Sequence, residues 1–280
     1  MRGAWPAIRN ILKAWALLIG LCAALGALGW WIGGLRVALV FGFGGLLVGL
    51  GAFWYCDRIV LGMVGARELL PGEAQPLQTI VEQLSLRARV VKPRLYVIPD
   101  GFPRALSVGR SPGSSSIAVS MGLLGVPSPA ELEGVVAHEI AHVRNRDVLV
   151  QTTVVVLAGS LVEFSRIGGW LSHALLYVLG PAAASFTHLL LSPGREFEAD
   201  RLAAQLCESP HGLADALVRL DQASELVEFR ASPATEPLYT INPFADEGLA
   251  KLFVTHPPVE ERVQRLRDLD PDWGEKLRAA

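Results

Sequence analysis

Two apolar runs open the chain, Ala14 to Gly34 and Leu35 to Cys56, interrupted only by Arg36. Each is close to the ~20 residues that carry a helix across a hydrocarbon core. Trp30, Trp31, Trp54 and Tyr55 stand near the run ends, where interfacial aromatics belong. The junction Gly33–Gly34–Leu35–Arg36 predicts the tip of a helical hairpin. A signal peptide and a pair of buried core helices are the rival readings. The first run is too long for a signal h-region, and a second run follows at once.

Residues 57–147 are polar enough for water. Leu77, Ile80, Val81 and Leu84 have helical spacing within Glu73 to Leu86. Arg94 to Ile98 and Ser115 to Ser120 read as strands, the second with the alternation of a half-buried one. Ser128, Pro129 and Glu131 announce a helix start with a capping box. Leu132, Val135, Val136, Ile140 and Val143 then form one apolar face.

A third apolar region, Val148 to Leu191, is interrupted by Glu163 and Arg166. It predicts a second helical hairpin with its tip near Glu163 to Gly169; a hydrophobic pair buried in protein, or lying in the interface, is the alternative. Residues 192–280 return to polar composition. Helices are predicted over Glu196 to Cys207, Leu213 to Phe229 and Pro258 to Leu269, with a loop at 231–247. The expected organisation is a hairpin at 1–56, a first soluble part at 57–147, a second hairpin at 148–191 and a second soluble part at 192–280. The fold class is α+β: mainly helical, with a small sheet and about four transmembrane helices in two hairpins.

Composition agrees with that division. Hydrophobic residues make up 51% and charged residues 19%, below the ~25% charged of an average soluble domain. Such a chain is not disordered. A net charge of −2 gives no basic field for nucleic acid. Cys22, Cys56 and Cys207 make neither a disulfide framework nor a C-x-x-C zinc site, so any metal would be held by histidine and carboxylate. Two hairpins put both soluble parts on one side. Arg2, Arg9, Lys13, Arg58, Arg67, Arg144, Arg146 and Arg195 lie near the membrane on that side, against Arg36 and Arg166 at the tips. That bias predicts a cytoplasmic location.

His138-Glu139-Ile140-Ala141-His142 is an H-E-x-x-H on a predicted helix. Spacing of four puts both imidazoles on one face, as two ligands of a tetrahedral zinc require. Glu139 can then reach a water at the metal without being a ligand. A catalytic site needs a third protein ligand and an open position. Glu196 and Asp200 share a face of a second predicted helix, with Glu198 pointing elsewhere. His142 lies six residues before the third apolar run and Glu196 five after its end, so both stand roughly 7–9 Å from the membrane boundary. A hairpin at 148–191 would bring them side by side. Asp200, one turn past Glu196, could accept the free ring N–H of a ligating histidine or form a surface ion pair with Arg195 or Arg201.

H-E-x-x-H, an apolar hairpin, and then Arg195-Glu196-Phe197-Glu198-Ala199-Asp200 together resemble the HtpX-type integral-membrane zinc metalloproteases, whose gluzincin core is shared with the membrane-bound prenyl-protein proteases. Gly122 to Leu124, and Thr255-His256-Pro257-Pro258 with Arg262, extend the resemblance over most of the chain. It implies one Zn2+ held by His138, His142 and Glu196, with Glu139 as catalytic base. His256 or Arg262 would stabilise the oxyanion. It also implies a role in protein quality control under stress, in a bacterial-type inner membrane. Pro103-Arg104-Ala105-Leu106-Ser107 departs from the family's Asn-Ala-Phe-Ala type, with Arg104 where an amide is usual.

The expected reaction is peptide hydrolysis by activated water. Substrates would be extended polypeptides, chiefly membrane proteins, paired through their backbone with the strand at 115–120. One alternative is a prenyl-protein endoprotease, which needs an intramembrane chamber that four spans hardly enclose. Another is a membrane scaffold with structural zinc, which would need no base at Glu139.

Overall fold

The computed structural model describes residues 4–125, 127–167, 184–185, 187–188, 191–224 and 256–271. The first helical element, α1 (Ala4–Met63), is a hairpin. Helical geometry breaks at Gly33 (φ −154°, ψ 23°) and Gly34 (φ 70°, ψ −158°). The second of these is a left-handed conformation that glycine adopts without a Cβ penalty. The limbs then run back to back. A Cβ on Gly29 would sit 2.7 Å from the Val37 carbonyl oxygen, and one on Gly45 would meet the Leu25 side chain at 2.6 Å. Small residues thus set the spacing of the limbs. Large apolar side chains such as Trp31, Val40 and Val48 point outward and are exposed.

The second limb continues seven residues beyond the apolar run, to Met63. That extension is what docks the hairpin. Cys56, Val60 and Leu61 are buried against Ile98, Leu106, Val108 and Ala118 of the sheet and against Val155 and Val156.

The sheet has four strands: β1 (Arg67–Glu68), β2 (Arg94–Ile98), β3 (Ala105–Gly109) and β4 (Ser115–Ser120), in the order β1-β2-β4-β3. β2 and β4 are parallel, and the other two pairs are antiparallel. β4 therefore has a neighbour on each side, and all six of its residues are buried. The half-buried alternation and the substrate pairing expected of 115–120 are both corrected. A strand hydrogen-bonded on both edges has no backbone groups to offer, and helices cover both of its faces. β3 is the terminal strand on that side.

Helix α2 (Gln75–Ala88) and the short α3 (Met121–Gly125) flank the sheet. α4 (Pro129–Asn145) carries the H-E-x-x-H. Its capping box forms: the Glu131 N–H donates to Ser128 Oγ at 3.3 Å, and the Ser128 N–H donates to the Glu131 carboxylate at 2.6 Å. α4 ends at Arg146, in left-handed conformation (φ 61°), and α5 (Asp147–Ile167) begins at once. α6 (Gly194–Leu206), α7 (His211–Ser224) and α8 (Val259–Arg267) complete the described helices. The core joins α2, the sheet, α4, α6, α7 and α8, with Leu77, Leu84, Ile117, Val135, Val136, Ile140, Leu213 and Leu217 buried. α4 and α7 meet at backbone distance, since a Cβ on Gly134 would lie 2.5 Å from the Leu213 nitrogen.

The architecture is thus mainly helical with a small mixed sheet. By length and composition, one stretch among the described residues is apolar enough for a membrane, Cys22–Gly51, and it folds back at Gly33–Gly34; the apolar part of α5, Asp147–Leu157, is shorter. The tip and most of the second limb of the hairpin expected over 148–191 lie outside the described residues.

Candidate metal centre

Two helices bring the three candidate ligands together. On α4, residues 138 and 142 stack one turn apart, with ring centroids 4.6 Å apart and planes at 87°. Their Nε2 atoms are 3.1 Å apart. α6, packed across α4, points Glu196 into the same space. Its carboxylate oxygens lie 3.5 Å from His138 Nε2 and 3.6 Å from His142 Nε2. His138, His142 and Glu196 are all buried.

Ligands of a tetrahedral zinc at ~2.0–2.2 Å are separated by roughly 3.3–3.5 Å from one another, and the three separations above bracket that range. Among the described residues, neither Glu196 oxygen receives a hydrogen bond of good geometry, although both are fully buried. Such a group is costly in a folded interior unless something compensates it. A divalent cation at the centre of the triangle supplies that compensation, so the residues fit a zinc ion.

Each histidine is held from behind by a carboxylate. Asp200 Oδ1 lies 2.9 Å from His138 Nδ1, and Asp147 Oδ2 lies 3.1 Å from His142 Nδ1. This leaves both Nε2 atoms facing the centre. Asp200 does not pair with Arg195 or Arg201; its partner is Arg262, which donates from Nε at 2.8 Å and from Nη2 at 2.7 Å. Arg262 is 1% exposed and comes from α8. Burial works against its charge, but Asp200 above all, with Glu196 and Glu139 nearby, raises its pKa. For Asp200, burial opposes ionisation and Arg262 overcomes it, leaving the carboxyl at about 2.

His256 Nδ1 lies 3.0 Å from Glu196 Oε2, and Arg195 Nη2 lies 3.3 Å from Oε1. Burial would raise the Glu196 pKa; the charges of His256, His142 and Arg195 hold it well below the ordinary carboxylate range. Burial likewise disfavours charge on His142, yet Glu196 and Asp147 push its pKa up to about 10. The Glu196 carboxylate thus stays ionised among these cationic neighbours, beside the two Nε2 atoms.

Glu139 is buried on α4 between the two histidines in sequence. Glu198 is exposed. His138, His142, Glu196, Asp200, His256 and Arg262 thus share one buried cluster. Asp147 is the member that sequence reasoning missed.

A model of peptidase family M48 matches residues 71–270. The chain is 38% identical over 275 residues to a protein named protease HtpX homolog from Pelotomaculum thermopropionicum, covering 92% of this chain and 98% of that one. A protein of the same name from Pyrococcus abyssi is 38% identical over 281 residues, covering 94% and 97%. The chain belongs to peptidase family M48. Among solved structures, the crystal structure of S. mikatae Ste24p superposes on this M48 peptidase with a TM-score of 0.50 at 22% identity. That likeness covers 93% of this chain and 64% of the other, and is one of fold.

The side chains of His138, His142 and Glu196 form a buried cluster that could hold a metal ion. No other cluster of three metal-ligating side chains occurs among the described residues.

Proposed function

We propose that this M48 peptidase is a membrane-anchored zinc endopeptidase that cleaves misfolded or damaged membrane proteins, with its catalytic part on the cytoplasmic side. The observation that carries the reading is the buried triangle of two Nε2 atoms and one carboxylate, each imidazole fixed from behind by an aspartate.

His138, His142 and Glu196 would hold the zinc. When bound, it supplies Lewis acidity and makes water a competent nucleophile near neutral pH. Glu139, one residue along from His138, accepts the proton of the attacking water and delivers it to the leaving amine. His256, beside Glu196, faces the region where the carbonyl oxygen gains charge and stabilises it. Two of the Arg262 donors are committed to Asp200. We therefore place Arg262 behind His138, holding the aspartate that orients the ring. An extended substrate backbone would pair with β3, the terminal strand of the sheet. All five β3 residues are buried, so entry requires displacement of what covers that edge.

Anchoring rests on the exposed apolar hairpin α1, and orientation on the excess of basic residues beside the soluble parts. A catalytic centre at the base of α5 would work close to the bilayer, which suits substrates that are themselves membrane proteins.

The test compares casein cleavage and metal content for the purified native chain and for Glu139→Gln. Equal zinc with cleavage reduced at least ~10²-fold is expected. Equal cleavage by the two proteins would overturn the mechanism. Zinc held by four protein ligands, or absent from both, would favour a scaffold.

A further inference from the structure

At the foot of the hairpin, just past the apolar stretch that ends at Gly51, α1 and the sheet enclose a cleft of about 160 Å³. Two aromatics, Trp54 and Tyr55, three arginines, Arg58, Arg94 and Arg110, and one acid, Asp57, line it. It lies outside the peptidase cluster and takes no part in the chemistry above.

The charges in this cleft do not balance. Asp57 is committed to Arg94, Oδ2 to Nη2 at 2.9 Å. Arg58 stacks over the Tyr55 ring, 5.6 Å from its centroid. Arg110 lies over the Trp54 ring at 4.2 Å and donates from Nη1 to the Trp54 carbonyl at 2.7 Å. Neither Arg58 nor Arg110 has a carboxylate partner among the described residues. Two guanidinium groups thus face the cleft with aromatic backing and no counter-charge, leaving donors suited to phosphate oxygens.

The cleft is also built. Arg110 follows Gly109, whose φ is +150° and where a Cβ would strike the Ser114 carbonyl oxygen at 2.6 Å. That tight return between β3 and β4 fixes the origin of the Arg110 side chain. On the other wall, Cys56 and Val60 anchor the helix into the core. Trp54 to Arg58 stand three to seven residues beyond Gly51, roughly 5–10 Å along the helix axis, which is the depth of the headgroup layer when the apolar stretch lies in hydrocarbon.

We infer that this cleft binds the phosphate of an anionic phospholipid headgroup. The inference rests on the membrane anchoring proposed above. A zwitterionic lipid brings an amine, and the one acid here already has its arginine; an anionic lipid brings the net negative charge that Arg58 and Arg110 lack. The bound headgroup would seat the hairpin against the sheet and fix the height of the peptidase part above the bilayer.

The experiment uses the full chain in phosphatidylcholine nanodiscs and follows energy transfer from tryptophan to dansyl-phosphatidylglycerol, displaced by unlabelled phosphatidylglycerol. Arg58→Gln/Arg110→Gln should weaken the apparent affinity on the order of tenfold. Arg58→Glu alone, at an exposed position whose one ring contact is with Tyr55, should also weaken it, which covers the case that Arg110 variants fold poorly. Arg89→Gln/Lys92→Gln, outside the cleft, should leave it unchanged. Equal affinity in all forms would overturn the site. Displacement by inorganic phosphate as readily as by the lipid would overturn the lipid assignment. A native chain that fails to enter the nanodiscs would instead count against membrane anchoring itself.

Discussion

Asp147 Oδ2 lies 3.1 Å from His142 Nδ1, five residues along the chain and across the junction of two helices. In a continuous helix, five residues would turn Asp147 roughly 140° away from His142. The left-handed residue Arg146 closes α4 and lets α5 start at Asp147 in a new direction. The carboxylate thereby folds back under the ring it orients.

Asp147→Asn should lower metal affinity by roughly 10–100-fold, because an amide fixes the ring tautomer less strongly and withdraws the negative charge behind it. Competition with a chelating dye measures this directly. An affinity equal to that of the native chain would show that Asp147 does not act through His142.

Arg262 should matter more for folding than its position in a terminal helix suggests. Arg262→Met would leave the Asp200 carboxylate buried and uncompensated, at a cost of about 3–5 kcal/mol. Adding Asp200→Leu should recover much of the loss, since the pair is then removed together. Thermal unfolding of the two single variants and the double variant tests this; strictly additive losses would contradict it.

The same pair sets an acid limit. The folded pKa of Asp200, about 2, is below the ordinary 3.8. Its ionisation therefore stabilises the fold above roughly pH 4, and the contribution fades as pH falls from there towards 2. In Asp200→Asn, stability should fall less steeply between pH 4 and pH 2 than in the native chain. Identical slopes in acid unfolding curves would exclude this contribution.

Gly134 is where α4 touches α7. A methyl there would meet the Leu213 backbone at 2.5–2.7 Å, so Gly134→Ala should destabilise by about 1–3 kcal/mol. Gly194→Ala, with nothing near the added carbon, should be close to neutral. The melting temperatures of the two variants decide the point. A neutral Gly134→Ala would mean that the helices can separate without loss.

Much of the site was readable in one dimension because its spacing is helical. His138 and His142 had to share a face once Ser128 and Glu131 fixed the start of α4, and Glu196 and Asp200 had to share one on α6. The capping box could be read for the same reason, since its partners are three residues apart. The pairing of Asp200 could not be read in this way. Arg195 and Arg201 were nearer in sequence, and the actual partner, Arg262, arrives on a helix 62 residues away.

Local pattern determined the helices, the apolar hairpin with its glycine tip, and the two pairs of candidate site residues, because each depends on residues within one or two turns. Tertiary structure decided what joins them. It set the sheet order that places 115–120 inside and β3 at the edge. It made the helix break that returns Asp147 to His142, and it brought α8 in to supply Arg262. Those choices depend on packing between segments distant in sequence, where many partners are chemically acceptable and burial selects one.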